Sequence, residues 1–221
     1  MTDRFQTGFR YQSRHDKPRY VWEKYREILK GKILDVGADQ CGLKAYMPGD
    51  AEYLGVGLGA GVDMEVDLDA GPLPFSDNTY DCVLCLDVLE HLENVHFMFD
   101  ELCRVSRRYL VISLPNPWKD FIRMLRHGFY RGSEQPMKFY NLPVNPPEDR
   151  HRWFYSPMEA ERFIRLRGER NGMTVIQTDH GRGKSNATFK KNIYKTFIHK
   201  DIDVNQLFLG TQWTVLEKNI T

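Results

Sequence analysis

The chain has 221 residues, of which 41% are hydrophobic and 28% are charged, a balance that is typical of a globular domain and excludes a disordered chain. The formal net charge of +1 argues against a protein that chiefly coats nucleic acid. No apolar run approaches the roughly 18 residues of a membrane span, and the polar, basic N-terminus does not resemble a secretory signal. The sequence therefore predicts a cytoplasmic protein with one domain over residues 1–221.

The N-terminal half alternates short apolar runs with amphipathic segments. Tyr20–Leu29 has apolar residues at helical spacing, and Gly31 follows it. Periodicity predicts a helix there, strands over 32–37, 52–58 and 62–68, and a short helix over 41–47.

The second half continues the alternation after an Asp77-Asn78 turn. A strand is predicted to begin at Tyr80, and Ser156-Pro157 with Glu159 is typical of a helix start with a capping box. Further predicted elements are helices over 95–105, 118–129 and 157–170 and strands over 109–115, 172–179 and 205–218. Strands that alternate with helices predict a Rossmann-like α/β fold, a three-layer sandwich. Its sheet should be mostly parallel, with about seven strands and one antiparallel strand near the C-terminus.

Two segments are expected to cap the substrate side of this sheet. One is the N-terminal helical region, 1–31, and the other is an insertion or lid over 118–155, much of which is rich in proline and aromatic residues. Long loops in compact domains are usually functional. Basic residues also cluster over 1–20 and 181–200, which are either solvated surfaces or a patch facing an anionic substrate.

The end of the first predicted strand carries the candidate cofactor site. Ligands of an open parallel sheet bind outside the carboxyl ends of its strands, and KILDVGADQCGL places Asp35 and Gly37 at such an end. A side chain at position 37 would block close approach of a ligand to the backbone. This arrangement resembles motif I of the class I S-adenosylmethionine-dependent methyltransferases, although Asp39 and Cys41 stand where that family usually has glycines.

Later motifs strengthen the resemblance because they follow in the same order. Asp67-Leu68, then LPFSDNTYDCVLCLDVLEHL, then a helix, then YLVISLPN resemble the methyltransferase group with LPF-x-D and VLEH motifs. The resemblance covers about residues 32–117. HRWFYSP-x-E-A further along resembles members of that group associated with bacterial glycans and natural products.

The resemblance implies S-adenosylmethionine as the cofactor and assigns residues to its parts. Asp35 would support the loop that lies under the methionine part. The other implied contacts are Gly37, Ala38 and Asp39 with the methionine part, Asp67 and Leu68 with the adenine edge, and Leu86 and Asp87 with the sulfonium region. The acidic residue that usually accepts the ribose hydroxyls is replaced by Gly57, and Asp63 could substitute for it through a loop.

Two histidines are candidate general bases for methyl transfer. His91 follows the predicted end of the fourth strand, and His151 lies in a segment with Arg150, Arg152 and several aromatic residues. Imidazole titrates near neutral pH and can accept a proton from a hydroxyl or amine. The aromatic residues, Tyr140 and 153–155, could stack on a sugar or pack into the core, and the arginines suit a phosphate or carboxylate.

No metal site is expected. Cys82 and Cys85 spell C-x-x-C, but residues i and i+3 of a strand point to opposite faces, and His91 and His96 are poorly spaced for shared ligation on a helix. A nicotinamide dinucleotide site is also disfavoured, because the glycine-rich fingerprint is incomplete.

The sequence thus favours methyl transfer to an oxygen, less so a nitrogen, of a small molecule or glycan precursor, which could be anionic. Three alternatives stay open. They are a nucleic-acid methyltransferase that uses the 181–200 segment, a non-catalytic methyltransferase-like binding protein, and a peripheral membrane protein whose 118–129 helix lies on lipid.

Overall fold

The computed structural model describes residues 4–127, 150–181 and 206–219, and its centre is one sheet. The strands are β1 (Lys32–Val36), β2 (Glu52–Gly57), β3 (Met64–Glu65), β4 (Tyr80–Leu86), β5 (Ser106–Leu114), β6 (Met173–His180) and β7 (Gln212–Lys218). Their spatial order is β3-β2-β1-β4-β5-β7-β6. The first five pair in parallel, and β7 runs antiparallel to both β5 and β6. The predicted sheet is confirmed, including its antiparallel strand near the C-terminus.

Four α-helices are described: α1 (Lys17–Tyr25), α2 (Val95–Val105), α3 (Pro117–His127) and α4 (Pro157–Arg170). Short 3-10 helices occupy Arg14–Asp16, Gly42–Tyr46 and Leu89–His91. The predicted start of α4 is confirmed, since the Glu159 amide donates to Ser156 Oγ at 3.2 Å and the Ser156 amide donates to Glu159 Oε2 at 2.7 Å. These reciprocal bonds satisfy amides that a helix start leaves unpaired.

Two hydrophobic cores lie on opposite faces of the sheet and give the three layers. Alternate residues of β1 separate between them, Ile33 on one side and Leu34 on the other. Residues of α2 and α4 contribute to the core on the Leu34 face, while α1 and the segment around Phe5 contribute to the core on the Ile33 face. Cys82 and Cys85 likewise belong to different cores, as the period of a strand predicts.

Two element boundaries differ from prediction. The first helix spans Lys17–Tyr25 rather than 20–29, because Pro18 suits a first helical turn and the buried Ile28 and Leu29 continue the apolar spacing beyond the helix end. The last strand spans Gln212–Lys218 rather than 205–218, and its first five residues are all buried. Burial is continuous because β7 lies between β5 and β6 with both faces covered.

A buried ion pair ties α1 to the far edge of the sheet. Lys24 is only 6% exposed, and its Nζ donates to Asp179 Oδ1 of β6 at 2.5 Å. The same ammonium lies 5.3–5.8 Å from the ring centroids of Tyr20, Tyr25 and Trp213, a range in which cations are attracted to aromatic faces. The N-terminal helix is therefore fixed to strands from the opposite end of the chain.

Several expectations concern segments only partly described. No helix within 4–127, 150–181 and 206–219 is long and apolar enough to cross a membrane. The side chains of 123–127 in α3, residues 128–149 of the predicted lid, including Tyr140, and residues 182–200 of the basic segment lie outside the description. The membrane-contact and charged-patch hypotheses stay predictions.

Gln177→Ala should release the N-terminal segment from β6. Gln177 is buried, and its side-chain amide binds the backbone of Phe5. Its Oε1 accepts from Phe5 N and its Nε2 donates to Phe5 O, both at 2.8 Å. Removing it leaves both backbone groups unpaired, so the free energy of unfolding should fall by about 1–3 kcal/mol. Urea denaturation measures the change, and hydrogen exchange should quicken around Phe5. The exposed Gln6→Ala is the control, and equal stability of the two variants would contradict the assignment.

Candidate functional site

The loop after β1 keeps a left-handed backbone at three alternate positions. Gly37 has φ 78°, Asp39 has φ 52° and Cys41 has φ 47°. Asp39 and Cys41 occupy positions that are usually glycine in motif I, the methyltransferase motif that this loop resembles. Left-handed dihedrals are easy for glycine and uncommon for other residues, although aspartate tolerates them better than most. The loop therefore has the conformation of a glycine-rich turn without its composition.

Packing gives Gly37 a structural requirement in addition to the ligand approach predicted from sequence. A Cβ at this position would lie 2.3 Å from Cγ2 of Val88, the residue that follows Asp87 beyond β4. The neighbouring amides of Gly37 and Ala38 both donate to Val56 O, at 2.7 and 3.1 Å. Position 37 thus lacks room for a side chain because β1 and β4 end side by side and Val88 covers the glycine.

Asp35 is buried at the end of β1 and is bound to the next strand. Its Oδ2 accepts a 2.7 Å hydrogen bond from the Tyr53 hydroxyl of β2. Burial raises the pKa of Asp35 to about 6, and the Tyr53 hydrogen bond and the Lys17 charge oppose that rise. This hydrogen bond ties Asp35 to the neighbouring strand β2, and its support of the cofactor loop, which the resemblance implies, stays a prediction.

The connection after β2 offers no free carboxylate for the ribose hydroxyls. Asp63 accepts from Lys44 Nζ at 2.5 Å through one oxygen and from the Gly55 amide at 3.0 Å through the other. A Cβ on Gly57 would lie 3.4 Å from Gly37 Cα, so the two loops are close. Asp63 is thus part of the β2–β3 connection, and its hydrogen bonds do not favour the substitution suggested from sequence.

Asp67 and Leu68 have different environments although they are adjacent. Asp67 is exposed, and its Oδ1 accepts from the Asp69 amide at 2.9 Å, which closes a turn. Leu68 is 7% exposed and belongs to the core on the α2 and α4 side. Of the two side chains, Asp67 has the access that contact with an adenine edge requires.

The end of β4 is closed by the first residue of α1. Lys17 Nζ donates to Asp87 Oδ2 at 2.8 Å and to Leu86 O at 3.3 Å, and Ser113 of β5 donates to Asp87 Oδ1 at 2.6 Å. Burial would raise the pKa of Asp87, but Lys17 and the hydrogen bonds from Lys17 and Ser113 outweigh it and lower that pKa. Leu86 packs towards the Ile33 face. Both residues stand at the expected strand end, already engaged with α1, β5 or the core.

The structure brings His91 and His151 together. Their ring centroids are 4.6 Å apart with the planes nearly perpendicular, at 88°. His91 Nε2 lies 3.7 Å from Oε1 of Glu90, whose side chain is 1% exposed. Ligand-type atoms of these three residues all lie within 4.8 Å of one another. The two histidines that the sequence suggested as alternatives therefore form one cluster with a buried carboxylate.

The segment from Arg150 to Tyr155 is bound along the 3-10 helix after β4. The backbone amide of Arg152 donates to Glu90 O at 2.7 Å. The guanidinium group of Arg152 donates through Nε to His91 O at 2.9 Å and through Nη1 to Glu93 Oε1 at 2.6 Å. Trp153 Nε1 donates to Leu92 O at 2.7 Å. The bonds of Arg152 thus hold this segment in place, and its predicted contact with a phosphate or carboxylate stays a prediction.

A cavity of about 330 Å³ adjoins the cluster. Its wall joins Glu90 and the end of β5 to α2, α4 and the aromatic residues after His151. The lining includes Glu90, His96, Leu114, Trp153, Tyr155 and Phe163. The aromatic segment is neither fully core nor fully surface, since Trp153 and Phe154 are 38% and 43% exposed while Tyr155 packs against the core.

Sequence reasoning missed Lys17, Tyr53 and Val88 as parts of this site. No local pattern marks Lys17 or Tyr53, because each meets its carboxylate only through tertiary packing. Glu90 carried a signal, since it stands beside His91 in the VLEH motif, but its link to His151 depends on the fold.

Asp35→Asn should flatten part of the dependence of stability on pH. Between pH about 4 and 6 the folded protein keeps a proton on Asp35 that the unfolded chain releases, so the free energy of unfolding falls as pH rises through this window. The loss should reach about 3 kcal/mol for this group and should be absent in the variant. Urea denaturation at several pH values measures the free energy of unfolding of both proteins. The contributions of the other carboxylates are common to both and cancel in the difference between them. Parallel profiles would show that Asp35 has an ordinary pKa.

Comparisons with known proteins agree with this fold. Residues 49–111 match the methyltransferase domain family. No significant match was found among curated proteins. Among solved structures, the chain is similar to the small RNA methyltransferase HEN1, with a TM-score of 0.61 and 14% identity over 100% of this chain and 27% of that one. It therefore spans about a quarter of the length of that protein.

Two further structures are similar over most of their length. The magnesium protoporphyrin IX methyltransferase of Synechocystis PCC 6803, with bound SAH, has a TM-score of 0.52 and 17% identity over 93% of this chain and 83% of that one. The [4+2]-cyclase SpnF has a TM-score of 0.59 and 12% identity over 98% and 86%. These likenesses establish the fold. The methyltransferase domain model matches the part of the chain that runs from β2 into β5.

Proposed function

We propose that the protein transfers the methyl group of S-adenosylmethionine to an oxygen of a small molecule or glycan precursor. The observation that carries the proposal is the cavity beside Glu90 and the two histidines. It lies beyond the carboxyl ends of β4 and β5, the edge at which an open parallel sheet binds its ligands. The acceptor and the cofactor would therefore meet at this edge.

The size and walls of the cavity favour one ring-sized acceptor. Its volume of about 330 Å³ is at the lower end of the range for small-molecule pockets. Trp153 and Phe163 contribute aromatic surface, which suits stacking on a sugar or another ring, while Glu90 and Tyr155 add polar groups. An oligonucleotide would need a longer groove than this cavity forms among the described residues.

The residues near Gly37 fit the methionine part of the cofactor. The left-handed loop brings the backbone of 37–39 to the strand end without a Cβ at position 37, and exposed Asp67 can accept from an adenine amine. The ribose hydroxyls lack the usual carboxylate after β2, because Gly57 replaces it and Asp63 is engaged. We expect backbone groups of the glycine-rich connection over 57–61 to take that part.

The cofactor supplies a methyl carbon on a positively charged sulfur, and positioning provides much of the acceleration in such a displacement. His91 Nδ1 lies 3.2 Å from Arg150 O; a carbonyl only accepts, so Nδ1 carries the hydrogen and Nε2 of the neutral ring has the lone pair. His91, with His151 beside it, is placed to accept the acceptor's hydroxyl proton as its oxygen bonds to the methyl carbon and the bonding pair stays on sulfur.

RNA methylation is the second candidate, favoured by the likeness to a small RNA methyltransferase. Labelled S-adenosylmethionine, offered with hydroxyl-bearing sugars, phosphosugars and short RNA, separates the candidates. We expect label in a ring-sized acceptor, with a KM that changes little between low and physiological salt. Label confined to RNA, with affinity that falls steeply with salt, would overturn the small-molecule acceptor.

Asp67→Ala should weaken binding of S-adenosylhomocysteine about tenfold or more, as expected from the loss of a charge-assisted hydrogen bond of roughly 1.5–3 kcal/mol. Isothermal titration calorimetry measures the affinity, and Asp50→Ala, another exposed aspartate, is the control. Unchanged affinity would remove Asp67 from the site. Wild-type protein that binds neither S-adenosylmethionine nor S-adenosylhomocysteine at millimolar concentration would overturn catalysis and favour a binding module.

A further inference from the structure

We propose that Glu90, His91 and His151 form a binding site for a divalent transition-metal ion beside the cavity that Glu90 lines. The sequence gave no reason to expect a metal here, because the nearest histidine to His91 in sequence is His96, which is poorly spaced for shared ligation. His151 is distant in sequence. The fold supplies the missing ligand by returning the chain to the 3-10 helix after β4. The proposed centre has one carboxylate and two imidazoles.

Distances within the cluster suit a shared ion. One potential ligand atom from each residue lies within 4.8 Å of the other two, and His91 Nε2 is 3.7 Å from Glu90 Oε1. Metal bonds of about 2.0–2.2 Å to nitrogen and oxygen place neighbouring ligand atoms about 3–3.5 Å apart in tetrahedral or octahedral geometry. Small side-chain rotations would therefore bring the three atoms around one ion.

The hydrogen bond of His91 is the kind that orients a metal-binding imidazole. Its Nδ1 lies 3.2 Å from the carbonyl of Arg150, which fixes the hydrogen on that nitrogen. In the neutral ring Nε2 then carries the lone pair, and it lies 3.7 Å from Glu90 Oε1. Ligating histidines commonly donate their other nitrogen to a backbone carbonyl in this way.

The two parts of the cluster are held together by bonds outside it. Arg152 donates to the carbonyls of both Glu90 and His91, and Trp153 donates to Leu92 O. These bonds fix the segment that carries His151 against the one that carries Glu90 and His91. A site whose ligands are already in place loses less conformational entropy when the ion binds.

The ligand types indicate the class of metal. Imidazole nitrogen suits first-row ions such as zinc, iron, cobalt and nickel, and carboxylate oxygen also suits manganese. The cluster contains no thiolate, and two nitrogens disfavour calcium and magnesium, which prefer oxygen. Asp87 lies within electrostatic range of His151 and, with Glu90, adds negative charge that attracts a cation.

A role in catalysis rests on the proposed function. Glu90 belongs to both the cluster and the cavity wall, so an ion held by three protein ligands would have open positions towards the acceptor. A hydroxyl bound there loses its proton more readily. That proton would pass to water, the oxygen would bond to the methyl carbon, and the sulfur would keep the bonding pair. The imidazoles would then hold the ion rather than accept the proton.

The test is calorimetric titration of the chelator-treated full chain with Mn²⁺, Co²⁺ and Zn²⁺, without cofactor or acceptor. We expect one saturable site, and for Co²⁺ a visible absorption spectrum that reports nitrogen and oxygen ligands. His151→Ala should weaken the affinity at least tenfold, and Glu90→Gln should do likewise. His15→Ala, at an exposed histidine of the N-terminal segment, should bind as the wild type does, and thermal melting checks the fold of each variant.

Two results would overturn the site: no saturable binding of any of the three ions at millimolar concentration, or wild-type affinity in His151→Ala. Titration with S-adenosylhomocysteine separates this proposal from the proposed function. Cofactor binding without metal binding would leave the methyltransferase and remove the metal. A turnover that resists chelation yet depends on His91 would return the imidazole to the role of base.

Discussion

The site depends on one constraint, the adjacency of β1 and β4 where the strand order reverses. The two strands run in parallel and end at the same edge, so the chain leaving β1 and the chain leaving β4 must pass each other. Val88 covers Gly37 at this crossing. The loop of residues 37–41 continues from one side of that contact, and Glu90 and His91 follow on the other side. The proposed cofactor and acceptor sites are therefore neighbours.

Asp35 and Asp87 follow neighbouring strands yet have opposite electrostatic environments. The pKa of Asp35 rises because burial outweighs its one tyrosine hydrogen bond and the more distant charge of Lys17. The pKa of Asp87 falls because Lys17 and Ser113 both donate to it. The position of a single ammonium group, delivered by the first turn of α1, makes the difference. The N-terminal helix therefore sets the charge at the site as well as covering one face of the sheet.

Sequence predicted most of the fold because its signals are local. The capping box at Ser156, the strand over the apolar run at 32–37 and the opposite faces of Cys82 and Cys85 all follow from short-range periodicity. The motif order also predicted that Gly37 and Asp87 lie at strand ends. Side-chain partners were less accessible, since Lys17 meets Asp87 70 positions away and His151 reaches His91 only after the chain has passed through β5. Such contacts depend on tertiary packing, which periodicity does not encode.

The left-handed residues of the loop after β1 have a wider consequence for how such sites vary. What the loop requires is a set of dihedral angles, and glycine is one way to satisfy it. Asp39 and Cys41 satisfy it with side chains that glycine lacks: the carboxylate lies 3.7 Å from Arg14, and the sulfur fills the space above Gly55. Replacing glycine at these positions makes the left-handed dihedrals less favourable but adds side-chain packing and an ionic contact. A chain can therefore lack the glycines of such a loop and keep its backbone shape. A search by composition would miss chains of this kind that a search by conformation would find.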